Sequence, residues 1–139
     1  MRKSIIIITI FLFASLVVLG FLQSTPAAKF PNISAPELKA KLDMNADLVL
    51  LDVRTHSEWD GPLGHLSGAL LIPLQELNTR FTELSSFKTK EIVVYCRSGN
   101  RSQVATAILR QKGFNAINML GGMKEWRALL AGDTNQVVK

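Results

Sequence analysis

Short apolar runs and helical spacings alternate along this chain. Leu48-Val49-Leu50-Leu51 is continuous and ends in Asp52-Val53-Arg54; its length and lack of alternation predict a buried parallel strand. Glu91-Ile92-Val93-Val94-Tyr95 predicts a central strand, Ala69 to Ile72 a short one stopped by Pro73, and Ala116 to Leu120 another. Between the strands the period lengthens. Ser34-Ala-Pro-Glu37 starts a helix, with Ser34 as N-cap, Pro36 in the first turn and Glu37 reaching back, and Leu38 and Leu42 mark its apolar face. Leu74, Leu77, Phe81 and Leu84 predict a helix ending near Ser85, and Arg101 to Lys112 one stopped by Gly113. Met123 to Leu130, carrying Trp126, is a short helix after the Gly121-Gly122 turn. His56 to Gly68, punctuated by Gly61-Pro62, Gly64 and Gly68, is loop. The alternation predicts an α/β domain with a mostly parallel central sheet and helices on both faces. Ligands bind such sheets beyond the carboxyl ends of the strands, where both Asp52-Val53-Arg54 and Cys96 to Arg101 fall.

The N-terminus follows a different pattern. Arg2 and Lys3 precede Ile5 to Leu22, eighteen residues without a charge, and Ala27-Ala28 lie just downstream. A positive flank before an apolar run describes an export signal, and at about 1.5 Å per residue the run covers roughly 27 Å as a helix. Residues 1–28 are therefore expected to be a signal peptide or a membrane anchor with its linker, an apolar helix that touches the membrane through residues 5–22 if uncleaved. The two cations favour a cytoplasmic N-terminus, with the remainder periplasmic or otherwise extracytoplasmic, anchored to the inner membrane if the segment is retained. The domain itself is expected over residues 33–131, with 132–139 a polar tail.

Composition narrows the picture only a little. The hydrophobic share of 47% is inflated by the N-terminus, and without residues 1–28 the chain carries 14 basic against 11 acidic residues in no block of like sign. A nucleic-acid footprint is not visible. No His/Cys/Asp/Glu cluster has metal-ligand spacing and there is no phosphate-cradling G-x-x-x-x-G-K, so neither a metal nor a cofactor is expected. The single cysteine cannot form an internal disulfide.

That cysteine, Cys96, stands where an apolar strand stops, followed by Arg97, Ser98, Gly99, Asn100, Arg101 and Ser102. A core would not accommodate this run. A strand-loop-helix turn aims backbone N–H groups at one point and sets a helix N-terminus behind it, which suits an anion. The anion can be the thiolate itself, making Cys96 a nucleophile. Arg97 and Arg101 are expected to face an anionic substrate, Gly99 to close the loop with a positive φ, and Asn100 to tolerate such a conformation. Ser98 and Ser102 are read either as hydrogen-bond donors to the sulfur or as helix caps. Asp52 is expected to organise neighbouring backbone N–H groups, Arg54 to pair with Glu58 four residues on, His65 to make structural hydrogen bonds, and Trp59 and Trp126 to sit in the core.

Asp52-Val53-Arg54 with Glu58-Trp59, then Gly64-His65-Leu66-Ser67-Gly68-Ala69, Ile72-Pro73, Cys96 to Ser102, and Leu120-Gly121-Gly122 with Trp126 together resemble a rhodanese domain, in that family's order. Asp60-Gly61-Pro62-Leu63 is slightly longer than the family's pattern, and Ser67 stands where proline is common. The resemblance implies a thiosulfate sulfurtransferase in which Cys96 takes a sulfane sulfur from a donor such as thiosulfate, holds it as a persulfide and passes it to cyanide or a thiol. It implies that Arg97, Ser98, Gly99, Asn100 and Arg101 form the substrate loop, with Asp52, Arg54 and Ser102 in support. Two other readings compete. One is an exported sulfur carrier or protein-binding module, with a protein as sulfur acceptor and little small-molecule turnover. The other, a cysteine phosphatase, needs an arginine six residues after the cysteine; here the fifth position is Arg101 and the sixth is Ser102.

Overall fold

The computed structural model describes residues 30–134; the apolar segment at 5–22, the linker after it and the last five residues lie outside the described residues. Five strands, β1 (Asn32–Ile33), β2 (Leu48–Asp52), β3 (Leu70–Leu71), β4 (Glu91–Tyr95) and β5 (Asn115–Met119), form one sheet in the order β1-β5-β4-β2-β3. Every pairing is parallel. Two apolar layers enclose it. Val49, Leu51, Ile92, Val94 and Ala116 pack on one side against Leu77, Leu84, Ala105 and Leu109, and Leu50, Val93, Tyr95 and Met119 on the other against Leu38 and Met123. Successive strand residues alternate between the layers, which is why β2 and β4 are apolar throughout.

The helices follow from local signals. In α1 (Ala35–Asp43) Ser34 accepts from the Glu37 N–H while Glu37 accepts from the Ser34 N–H, the expected capping box. Helices α1 and α5 (Gly122–Thr134) cover the second layer, and α4 (Asn100–Gln111) covers the first. Gly113 follows α4 at φ +83°.

Four expectations need correction. The helix read from Leu74 to Ser85 is one α-turn, α3 (Leu77–Arg80), continued as a 3₁₀ segment over Phe81–Phe87. The Leu74 N–H is taken by the Val53 carbonyl at 3.1 Å, which delays the start, and Thr, Ser and Phe are weak helix formers. The apolar spacing was nonetheless sound, since Leu77 and Leu84 are buried. Between β2 and β3, read as loop, Thr55 and Glu58 build a second capping box that opens the one-turn helix α2 (His56–Trp59). The last helix starts at Gly122 and runs to Thr134, past the expected end at Leu130. Trp59 is not a core residue: its ring stacks on His65, 3.6 Å between centroids and 10° between planes. Trp126 packs against the second layer.

Register places the site. Leu48 pairs with Glu91 and Asp52 with Tyr95, and the Val53 N–H donates to the Tyr95 carbonyl at 3.0 Å. Asp52-Val53-Arg54 and Cys96 therefore leave the sheet side by side at its carboxyl edge.

Candidate functional site

Cys96 is 1% exposed. The Gly99 N–H donates to Sγ at 3.2 Å, and Ser102 Oγ lies 3.4 Å from it. The Ser102 hydroxyl also reaches the Gly99 carbonyl at 3.1 Å, so its single proton divides between two acceptors. Burial pushes the Cys96 thiol up; the Ser102 hydroxyl and the backbone N–H groups of Ser102, Ser98 and Gly99 outweigh it, and the thiol titrates below its ordinary range.

What turns two of the loop's N–H groups inward is the start of α5. The Met123 N–H donates to the Cys96 carbonyl at 2.8 Å and the Lys124 N–H to the Arg97 carbonyl at 3.0 Å. In a trans peptide the carbonyl and the following N–H point in opposite directions, and no cis bond occurs among the described residues. Fixing these two carbonyls outward therefore directs the N–H groups of Arg97 and Ser98 into the loop. Gly122 makes the approach possible: a Cβ there would fall 2.4 Å from the Cys96 oxygen, 2.7 Å from the Arg97 carbonyl carbon and 2.8 Å from the Ser98 nitrogen. In the sequence the Gly121-Gly122 doublet marks a turn and belongs to the family-like pattern, and that doublet is the signal of this contact.

Gly99 adopts φ +99°, as expected, and is itself the N-cap of α4. Asn100 is already helical, so the left-handed conformation expected to suit it does not arise. The side chains of Ser98 and Asn100 are exposed, and neither serine at 98 nor 102 caps the helix.

The arginines divide unequally. Arg101 makes a bidentate pair with Glu58 at 2.7 and 2.6 Å, so it is not free to face a substrate in this conformation. The Glu58 carboxyl is held at about 2 by the Arg101 guanidinium, whose own pKa rises in return. The expected Arg54–Glu58 ion pair is absent. Arg54 is 1% exposed and grips Asp52, which is fully buried, through Nε (2.9 and 3.0 Å) and Nη2 (2.6 Å). Nη1 donates to the backbone carbonyl of Glu58 (3.1 Å), and Nη2 donates also to that of Gly64 (2.7 Å). Asp52 also accepts from the Arg54 N–H at 2.9 Å, the organising role read from the sequence. Spacing favoured the local i,i+4 partner; burial and the bidentate fit of Asp52 decided otherwise. Arg97 is exposed, with no ion-pair partner among the described residues.

His65 is exposed, its Nδ1 3.3 Å from the Trp59 carbonyl oxygen, and it stacks on Trp59 away from the sulfur loop. Among the described residues no group of three or more His, Cys, Asp or Glu side chains could hold a metal ion, and no helix is long and apolar enough to cross a membrane. A cavity of about 370 Å³ opens beside the loop, lined by Arg54, Ser57, Glu58, Gly61, Pro62, Leu63, Arg97 and Lys124.

Such an arrangement can stabilise an anionic sulfur with fixed dipoles and no general base. Comparison with known proteins points the same way. The family described as Rhodanese-like domain matches residues 34–129. Over 105 residues the chain is 36% identical to the "Putative sulfur carrier protein YrkF" of Bacillus subtilis (strain 168), covering 75% of this chain and 55% of that protein. Over 95 residues it is 35% identical to a sulfurtransferase of Allochromatium vinosum, covering 68% and 85%. The crystal structure of a rhodanese-like domain protein from Staphylococcus aureus superposes with a TM-score of 0.60 at 34% identity, covering 69% of this chain and 90% of that one. The chain spans about half the length of the Bacillus protein.

Proposed function

This chain belongs to the rhodanese-like family, and from that premise we propose that it transfers sulfane sulfur through a persulfide on Cys96. One observation carries the reading: a buried sulfur at the end of a central strand, ringed by the Gly99 N–H at 3.2 Å and the Ser102 hydroxyl at 3.4 Å, its thiol lowered by these and by the N–H groups of Ser98 and Ser102. Sulfur transfer is thiolate attack on sulfur, so the same ring serves an anion twice. In the first step the Cys96 thiolate attacks the outer sulfur of thiosulfate. An S–S bond forms to Cys96, the S–S bond of thiosulfate breaks, and sulfite leaves with the electron pair. In the second, cyanide or a thiolate attacks the outer sulfur of the persulfide and Cys96 leaves as thiolate, ready for another cycle. No proton transfer is required at either step.

The geometry favours this over phosphate ester hydrolysis. Arg101 is one residue early and paired with Glu58, and the groups hydrogen-bonded to Sγ are the Gly99 N–H and the Ser102 hydroxyl, neither of them an acid. The same Cys96 persulfide would serve a carrier that hands sulfur to a protein acceptor, the reading favoured by the likeness to a protein named as a sulfur carrier. Residues 1–28 are proposed to take the domain out of the cytoplasm, where its acceptor would be extracytoplasmic. Thiocyanate formation from thiosulfate and cyanide separates the two: sustained turnover lost in Cys96→Ser marks an enzyme. Stoichiometric gain of one sulfur by Cys96 with negligible turnover marks a carrier. No sulfur gain from any sulfane donor overturns both.

A further inference from the structure

A second cavity, of about 530 Å³, opens between α1, α5 and the chain at 65–67. It belongs to the apolar layer of Leu50 and Leu66, whereas Cys96 packs in the other layer. None of its lining residues lines the cavity beside the sulfur loop. Leu50 and Leu66 are buried at its floor, and Leu42, Trp126 and Leu130 add half-buried apolar walls. The lining carries one full charge, the Arg127 guanidinium, and no carboxylate among the described residues. Arg127 is exposed and in no ion pair among the described residues. Its Nε donates to the Leu63 carbonyl at 2.6 Å, which fixes the guanidinium plane and leaves the Nη groups for another acceptor. Nη2 lies against Gly64, where an added Cβ would fall 2.5 Å from it. The arginine is thus seated in a notch that only a glycine leaves open. His65, held flat on Trp59, completes a polar rim with Asn45 and Ser67. An apolar floor with a few polar groups at one side, in a volume of roughly 300–1,000 Å³, is the composition of a small-molecule site.

We propose that this cavity binds a small organic carboxylate with an apolar body, the carboxylate held by the Nη groups of Arg127 and the body lying over Leu50 and Leu66 against Trp126. The planar guanidinium matches two carboxylate oxygens. A neutral molecule of the same shape keeps the apolar contacts and loses the charge-assisted bonds, and a cation of that shape is repelled, so the site selects by charge. Binding makes and breaks no covalent bond and does not engage Cys96, so it stands independently of sulfur transfer.

The test titrates the isotope-labelled full chain with 4-phenylbutyrate, 4-phenylbutanol and 4-phenylbutylamine, following backbone amide resonances by NMR. The amides of Leu66, Ser67 and Arg127 are expected to shift, and those of Arg97 and Ser98 to stay put. The carboxylate is expected to bind about fivefold more tightly than the alcohol, the upper end for an ion pair at an exposed arginine, and the amine more weakly than either. That ratio is expected to fall toward one in Arg127→Gln while the alcohol's affinity holds, to survive in Arg127→Lys, and to shrink with added salt. Equal affinity for the three molecules overturns the proposal, as does a ratio unchanged in Arg127→Gln or a response confined to Arg97 and Ser98. Sulfur gain by Cys96 from thiosulfate, read by intact mass on the same samples, keeps a failure here distinct from a failure of the persulfide reading.

Discussion

Gly122→Ala is the sharpest probe of how the sulfur loop is held. Gly122 sits at φ +56°, and its added Cβ would meet three backbone atoms of the loop at 2.4, 2.7 and 2.8 Å. None is the flexible end of a side chain, so the loop must move away from α5. Gly113 provides the control: its φ is +83°, yet a Cβ there meets nothing within 4 Å. The left-handed conformation alone costs an alanine about 1–2 kcal/mol, which is the whole expected effect of Gly113→Ala. Gly122→Ala adds overpacking of about 1–3 kcal/mol and weakens two hydrogen bonds of about 1 kcal/mol each. A total near 4 kcal/mol is expected, by urea denaturation of both variants. The loop should also lose its alignment, so the pH at which Cys96 is half alkylated by iodoacetamide should rise in Gly122→Ala and stay put in Gly113→Ala. Equal destabilisation of the two variants, with the same alkylation profile in both, would refute the idea that α5 sets the loop's N–H groups.

Three further outcomes follow from the geometry. Ser102→Ala removes a donor from Sγ and should shift the Cys96 alkylation profile to higher pH, since the hydroxyl is among the groups that lower the thiol; an unmoved profile would assign Ser102 to the Gly99 carbonyl alone. Asp52→Ala strands the buried Arg54 charge and should cost about 3–5 kcal/mol in chemical denaturation, and a loss below about 1 kcal/mol would mean water reaches Arg54. Glu58 has its carboxyl lowered from 4.5 to about 2. Its contribution is therefore fully present above the unfolded value and is lost as the pH falls from about 4.5 through 2. Glu58→Gln should flatten the decline of the urea midpoint over that window, by about 1 kcal/mol for a half-buried pair; identical pH slopes would show the pair to be energetically idle.

Much of the fold was legible because its signals are local. The Ser34–Glu37 box, the continuous apolar runs of β2 and β4 and the glycine that stops α4 each act within a few residues. Cys96 was legible for a similar reason: a strand's end beside arginines and a glycine needs no tertiary knowledge. What escaped is what the chain brings together from afar. Glu58 and Arg101 lie 43 positions apart, and spacing offered Arg54 the nearer carboxylate. Strand β1, only two residues long, exists by pairing with β5 and has no pattern of its own. The contact of Gly122 with the Cys96 carbonyl depends on α5 meeting a loop more than twenty residues upstream. Lys124 had no distinguishing feature until the cavity set it beside Arg97.

The central claim is that Cys96 carries the sulfur and gives it up again. The full chain is loaded with sulfane-labelled thiosulfate, freed of donor by gel filtration and given a thiol. The label is then followed in the peptide that contains Cys96 and in the thiol. The account predicts one labelled sulfur per chain on that peptide, passing to the thiol and leaving Cys96 free to load again. A thiol labelled in the presence of donor while the Cys96 peptide stays unlabelled, or labelling that persists in Cys96→Ser, would contradict it.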